Sequence, residues 1–237
     1  MTRVESNGRA RLSMPSGRGG RRVPVRPSAP GAPSPWARWA WGLALAGLFV
    51  LAWAWRTAYL ARLAATPLHD TLYQDAGTYW RWAGALPHIG ILGRNAFFLG
   101  PLYPYVLALL RSLTGDSIPA VLHVQALWGA TAVVLLADAA RRLAGRGAAL
   151  AVGLVLALYE MATFFDGLIL MESLLFFLES LLLWWVVRCD WTTFRARSWL
   201  VSGVLIGLLA EGRASAALLV LPALAVLVPL VRGGWRT

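Results

Sequence analysis

Three short stretches of this 237-residue chain carry side chains able to move a proton or hold a phosphate. In YQDAGTYWRWAGALP, residues 73–87, a single carboxylate, Asp75, stands among Tyr73, Tyr79, Trp80 and Trp82. A carboxylate partly desolvated by aromatic neighbours becomes a better base for a hydroxyl proton. The same residue also reads as the N-cap of a short amphipathic helix, and composition alone leaves both roles open. His69 and Asp70, just upstream, suit either role. The second stretch, YEMATFFDGLILMES (159–173), brings Glu160, Asp166 and Glu172. The third, AEGRAS (210–215), brings Glu211 and Arg213. An arginine beside a membrane surface binds a phosphate headgroup or simply extends its charged end into water, and both readings stand for Arg213.

Other chemistries find no support. His69, His88 and His123 lack metal-ligand spacing, and no HExxH, CxxC or phosphate loop occurs. Cys189 is a lone cysteine, which rules out an internal disulfide. The formal net charge is +11, and every one of the 22 basic residues is arginine. These cluster beside apolar runs, a distribution that argues for membrane orientation and against nucleic acid.

The elements that must position the three stretches are membrane spans. The chain is 58% hydrophobic and 14% charged, and several of its Leu- and Ala-rich runs approach the roughly 20 residues that cross a bilayer as a helix. The expected fold is an all-α polytopic membrane protein with about six spans, at 39–60, 118–140, 147–164, 172–187, 198–210 and 214–231. Residues 1–35, rich in Arg, Gly, Pro and Ser, read as a disordered basic tail. Trp36, Trp39, Trp41, Trp53 and Trp55 mark the ends of the first span. Arg141, Arg142 and Arg146, then Arg188, Arg195 and Arg197, and finally Arg232 and Arg236 fall on the side of that tail, which the positive-inside rule makes cytoplasmic.

The three acid-bearing stretches then share the opposite, external side. Residues 61–117 form one large external loop, in which 97–116 is expected as a short interfacial helix shaped by Pro101 and Pro104. Glu172 and Glu179 lie seven residues apart on one face of the fourth span. Glu172 needs a polar mouth and Glu179 is expected to face the bundle. Asp138 is expected to pair within its own helix with Arg141 or Arg142.

The order DAGTYWRWA, PLYPYVLALLRSLTGDS, VQALWGATAVVLLADAARRLAGRGAAL, FFDGLILMES and GLLAEGRASAALLVLP resembles bacterial membrane glycosyltransferases of the GT-C superfamily, family 39 and RgtA/B/C/D-like, over about residues 36–231. The resemblance implies inverting transfer of a sugar from a polyprenyl-phosphate donor to a hydroxyl of a lipid, polysaccharide or protein, on the external face of a bacterial inner membrane. It implies Asp75 as catalytic base, with Tyr79, Trp82, Glu172 and Arg213 binding substrate. The leaving phosphate is stabilised by Arg213 or by a divalent ion. Arg213-Ala214 stands where relatives have Arg-Pro, and Asp75-Ala76 where they have an acid pair, which weakens the case for metal there. Such relatives continue through further spans, so the resemblance also implies an N-terminal piece or a truncated member. The alternative from another class is a non-catalytic membrane protein, a transporter or a lipid-binding subunit. Against a transporter, no repeat relates spans one to three to spans four to six, and the acids gather at one edge.

Overall fold

The computed structural model describes residues 35–67, 71–90, 99–191, 195–222 and 225. Among these the chain is entirely helical. It comprises α1 (Pro35–Ala64), α2 (Asp75–Ile89), α3 (Leu102–Thr114), α4 (Ile118–Ala157), α5 (Glu160–Asp166), α6 (Glu172–Arg188), α7 (Ala196–Gly212) and a 3₁₀ stretch Ala214–Leu219. The expected basic tail, His69 and Asp70 lie outside the described residues.

α4 is the centre of the molecule, with α1 and α6 packed against it. Ser117 caps its start by accepting a hydrogen bond from the Ala120 amide, and Pro119 occupies its first turn, where a missing N–H costs little. Its 40 residues are not one rod. Gly145 has φ 84° and ψ −177°, a conformation essentially reserved for glycine, and the chain reverses there. Ala137 and Gly153, each eight residues from Gly145, lie side by side: a Cβ on Gly153 would sit 3.3 Å from that of Ala137. Residues 118–144 and 146–157 are therefore antiparallel arms, the two expected spans at 118–140 and 147–164.

α1 lies along both arms. Its Leu48 covers Gly153, and further on Arg56 lies over Gly129 and bonds to the Ala157 carbonyl. A small cluster of Ala52, Ala130, Val133 and Ala157 closes this seam, where small side chains let the helices approach. The main core joins Leu60, Tyr79, Tyr103, Leu107, Val121, Leu175, Leu178 and Leu209 from six helices.

α1 and α4 are long and apolar enough to cross a membrane. α6 and α7 are shorter, 17 residues each, at the lower limit for a span. Three expectations need correction. The span at 147–164 breaks after Ala157, because extended Tyr159 starts the separate α5. The span at 214–231 opens as a 3₁₀ stretch rather than an α-helix, and 226–231 lie outside the described residues. Glu179 does not face the bundle. α6 buries Leu174, Leu175, Leu178 and Leu182, and Glu179, about 100° round the helix from Leu178, is exposed on an apolar groove between α6 and α7.

Candidate functional site

α2 and α3 form a hairpin-like pair within the expected external loop. Arg111 of α3 ties them together: its guanidinium lies 4.2 Å over the Trp80 ring, donates to the Trp80 carbonyl and pairs with Asp116 at 2.6 Å. Gly115, in the left-handed region at φ 65°, ends α3. This pair carries the first site stretch. Asp75 is the first residue of α2, and the N-cap is Gln74, with no side-chain capping bond. The capping role left open for Asp75 is therefore overturned. Where the sequence led to the expectation of a carboxylate partly desolvated by aromatic neighbours, the structure has Asp75 open to solvent in the first turn of α2, because the neighbouring aromatic Tyr79 is turned into the core. Asp75 is exposed and lines a cavity of about 260 Å³ with Gln74, Ile118, Leu122 and residues 167–170.

One turn further along α2, Tyr79 is buried, and Trp82, on the following turn, is half-buried. The Tyr79 hydroxyl donates to Met171 Sδ at 3.6 Å, the residue just before Glu172. Glu172 opens α6 and Arg213 closes α7, its amide bonded to the Leu209 carbonyl at 2.8 Å. Arg213 Nη2 lies 3.3 Å from Glu172 Oε1. So Arg213 is paired, which goes beyond either reading open to it in sequence. The other Glu172 oxygen, Oε2, is buried with no hydrogen-bond partner among the described residues.

Burial raises the Tyr79 phenol pKa above the usual value, the Glu172 and Asp75 carboxylates raise it further, and Arg213 opposes them. Asp75, Glu172 and Arg213 are thus all within electrostatic reach of the Tyr79 hydroxyl, with Trp82 on the same helix.

Sequence reasoning missed the buried polar chain behind the site. Tyr103 meets Tyr79 edge to face at 5.1 Å, and its hydroxyl donates to Gln125 Oε1 at 2.5 Å. Gln125 donates to the carbonyls of Asp166 and Leu168, which fixes the turn leading to Glu172. Asp166 in turn pairs with Arg56 at 2.7 Å, both fully buried. Arg56 was the available signal: an arginine inside an apolar run needs a partner. Asp166 is therefore occupied structurally, and Glu160 lies apart from it, in a separate pocket with Trp55 and Arg62. A close approach places Arg213, since a Cβ on Gly100 would overlap the Gly212 carbonyl oxygen. Among the described residues no three His, Cys, Asp or Glu side chains come together to hold a metal ion.

Residues 98–236, more than half of the chain, match the sequence profile of the dolichyl-phosphate-mannose-protein mannosyltransferases. The chain belongs to this family. No curated protein and no solved structure matches it. The mannosyltransferase-family match includes Tyr103, Gln125, Asp166, Glu172 and Arg213 and begins after α2, so Asp75, Tyr79 and Trp82 lie outside it. Within this mannosyltransferase-family region, the GT-C resemblance read from the sequence is thereby shown.

Proposed function

We propose that this chain transfers a sugar from a polyprenyl-phosphate donor to an acceptor hydroxyl, with inversion, at the end of the bundle formed by α2, the start of α6 and the end of α7. The reading is supported by the family membership together with one observation: Arg213 and Glu172 pair at 3.3 Å, and both they and Asp75 lie within electrostatic reach of the Tyr79 hydroxyl. The donor's lipid chain runs along the apolar helices and its phosphate meets Arg213.

The acceptor enters the cavity beside Asp75. Asp75 takes the acceptor's proton as the acceptor oxygen bonds to the anomeric carbon. The bond from that carbon to the phosphate oxygen breaks, and the phosphate leaves with the electron pair. Arg213 supplies the positive charge that the leaving phosphate needs, and Glu172 holds the guanidinium in place. Tyr79 and Trp82 shape the wall, and an indole face suits a sugar ring.

On this reading the arginine-rich side is cytoplasmic, the site is external, and the long apolar helices cross a bacterial inner membrane. The test is Asp75→Asn in the full chain, reconstituted with a polyprenyl-phosphate sugar. Loss of transfer by about 10²–10⁴-fold at unchanged helicity is expected for a missing general base. Normal transfer by this variant would overturn the assignment.

A further inference from the structure

The opposite end of the bundle holds a second charged assembly that takes no part in the proposed reaction. Asp138, 4% exposed, is gripped from three helices. Its Oδ1 accepts from Trp41 Nε1 at 3.1 Å and Arg141 Nε at 3.2 Å. Its Oδ2 accepts from Trp184 Nε1 at 3.1 Å and Arg188 Nη1 at 2.7 Å. The expected pair with Arg141 is present, then, but it is one contact of four. Each guanidinium also lies over an indole, Arg141 on Trp41 at 5.2 Å and Arg188 on Trp184 at 4.5 Å.

This arrangement fixes two guanidiniums on the two oxygens of one buried carboxylate. Each has five N–H donors, and among the described residues each gives one bond to Asp138. The Arg141 and Arg188 side chains remain 32% and 38% exposed, so their other donors face outward. One negative charge against two positive leaves an excess, and exposed Arg142 adds to it.

We propose that Arg141 and Arg188, braced by Asp138, Trp41 and Trp184, bind the phosphodiester of an anionic phospholipid headgroup. Two fixed guanidiniums match phosphate oxygens better than mobile ammonium groups would. The choice of a lipid over a free anion rests on the two indoles. They lie at the depth of the charges, as indoles do at the headgroup level, and the apolar faces of α1, α4 and α6 continue from them to receive acyl chains.

The test is native mass spectrometry of the full chain in an uncharged detergent with equal amounts of phosphatidylglycerol and phosphatidylcholine. Two arginines at a headgroup correspond to about a thirtyfold preference for the anionic lipid. Wild type and an Arg62→Gln variant, changed at the other end of α1, should show it. The triple variant Asp138→Asn, Arg141→Gln, Arg188→Gln, which leaves no unpaired buried charge, should lose it at unchanged helicity. If that variant does not fold, Arg188→Gln alone, which leaves Asp138 paired with Arg141, should cut the preference to about fivefold. An undiminished preference in the folded variant tested overturns the proposal. Displacement of the lipid by millimolar inorganic phosphate would assign the site to a free anion and overturn it as well.

Discussion

Arg213 and Glu172, 41 residues apart in sequence, are held 3.3 Å apart where the end of α7 meets the start of α6. The pair is open to one side, with the arginine side chain 55% exposed and the glutamate 30%. Exposed pairs contribute only about 0–1 kcal/mol to stability, so this one does little to hold the fold.

Arg213→Gln should therefore leave the melting temperature within a few degrees of wild type. It should lower sugar transfer by about 10²–10³-fold, as removal of a preorganised charge stabiliser does. Glu172→Gln should act more weakly and mainly through the donor KM, because it loosens the guanidinium without removing it. Steady-state kinetics with varied donor separates the two, and a large drop in stability for Arg213→Gln would contradict this account.

The Arg56–Asp166 pair is the opposite case, since both side chains are fully buried. Arg56→Met should destabilise the chain by about 3–5 kcal/mol, because it leaves Asp166 charged and unpaired. Arg56→Met combined with Asp166→Leu should recover most of that loss. Denaturant unfolding in mixed micelles checks both, and equal losses in the single and double variants would show that the charge is not the cause.

Gly145 allows the reversal that makes α4 two arms. Gly145→Ala places a Cβ at φ 84° and ψ −177° and should cost about 1–3 kcal/mol. Gly147→Ala, two residues on in helical conformation with open space around it, should cost nothing or stabilise slightly. Unfolding midpoints of the two variants give the comparison, and the reverse order would argue against the hairpin.

Burial raises the Tyr79 phenol and raises Tyr103 well above its usual value, helped by Tyr79 and Glu172. For groups whose folded pKa exceeds the unfolded value, the stabilising contribution is complete below the unfolded pKa, near 10, and is lost as pH rises through the folded one. Stability should thus decline above about pH 10. Of the six tyrosines, Tyr79 and Tyr103 should be among those that ionise late in an absorbance titration. Tyr103→Phe should flatten the alkaline decline, and titration of all tyrosines together below pH 10 would contradict it.

Much of the fold was legible because apolar run length, arginine position and turn residues are local signals. They gave α1, the first arm of α4, α6, α7 and the end of α3 at Gly115 to within a few residues, whereas the second arm stops at Ala157, well short of the expected 164. Glu179 was misread because helical spacing gives the angle between residues but not which side meets a neighbour.

What the sequence determined by itself is the all-helical character, the clustering of arginines beside apolar runs, and a short list of residues, Asp75, Tyr79, Trp82, Glu172 and Arg213. Only the tertiary structure decided that Glu172 pairs with Arg213, that Gln125 links Tyr103 to the turn before Glu172, and that Asp138 joins three helices rather than one. Those contacts span 22 to 97 residues. They depend on which helices pack side by side, and glycines at 100, 129, 145 and 153 set that through close approach and chain reversal.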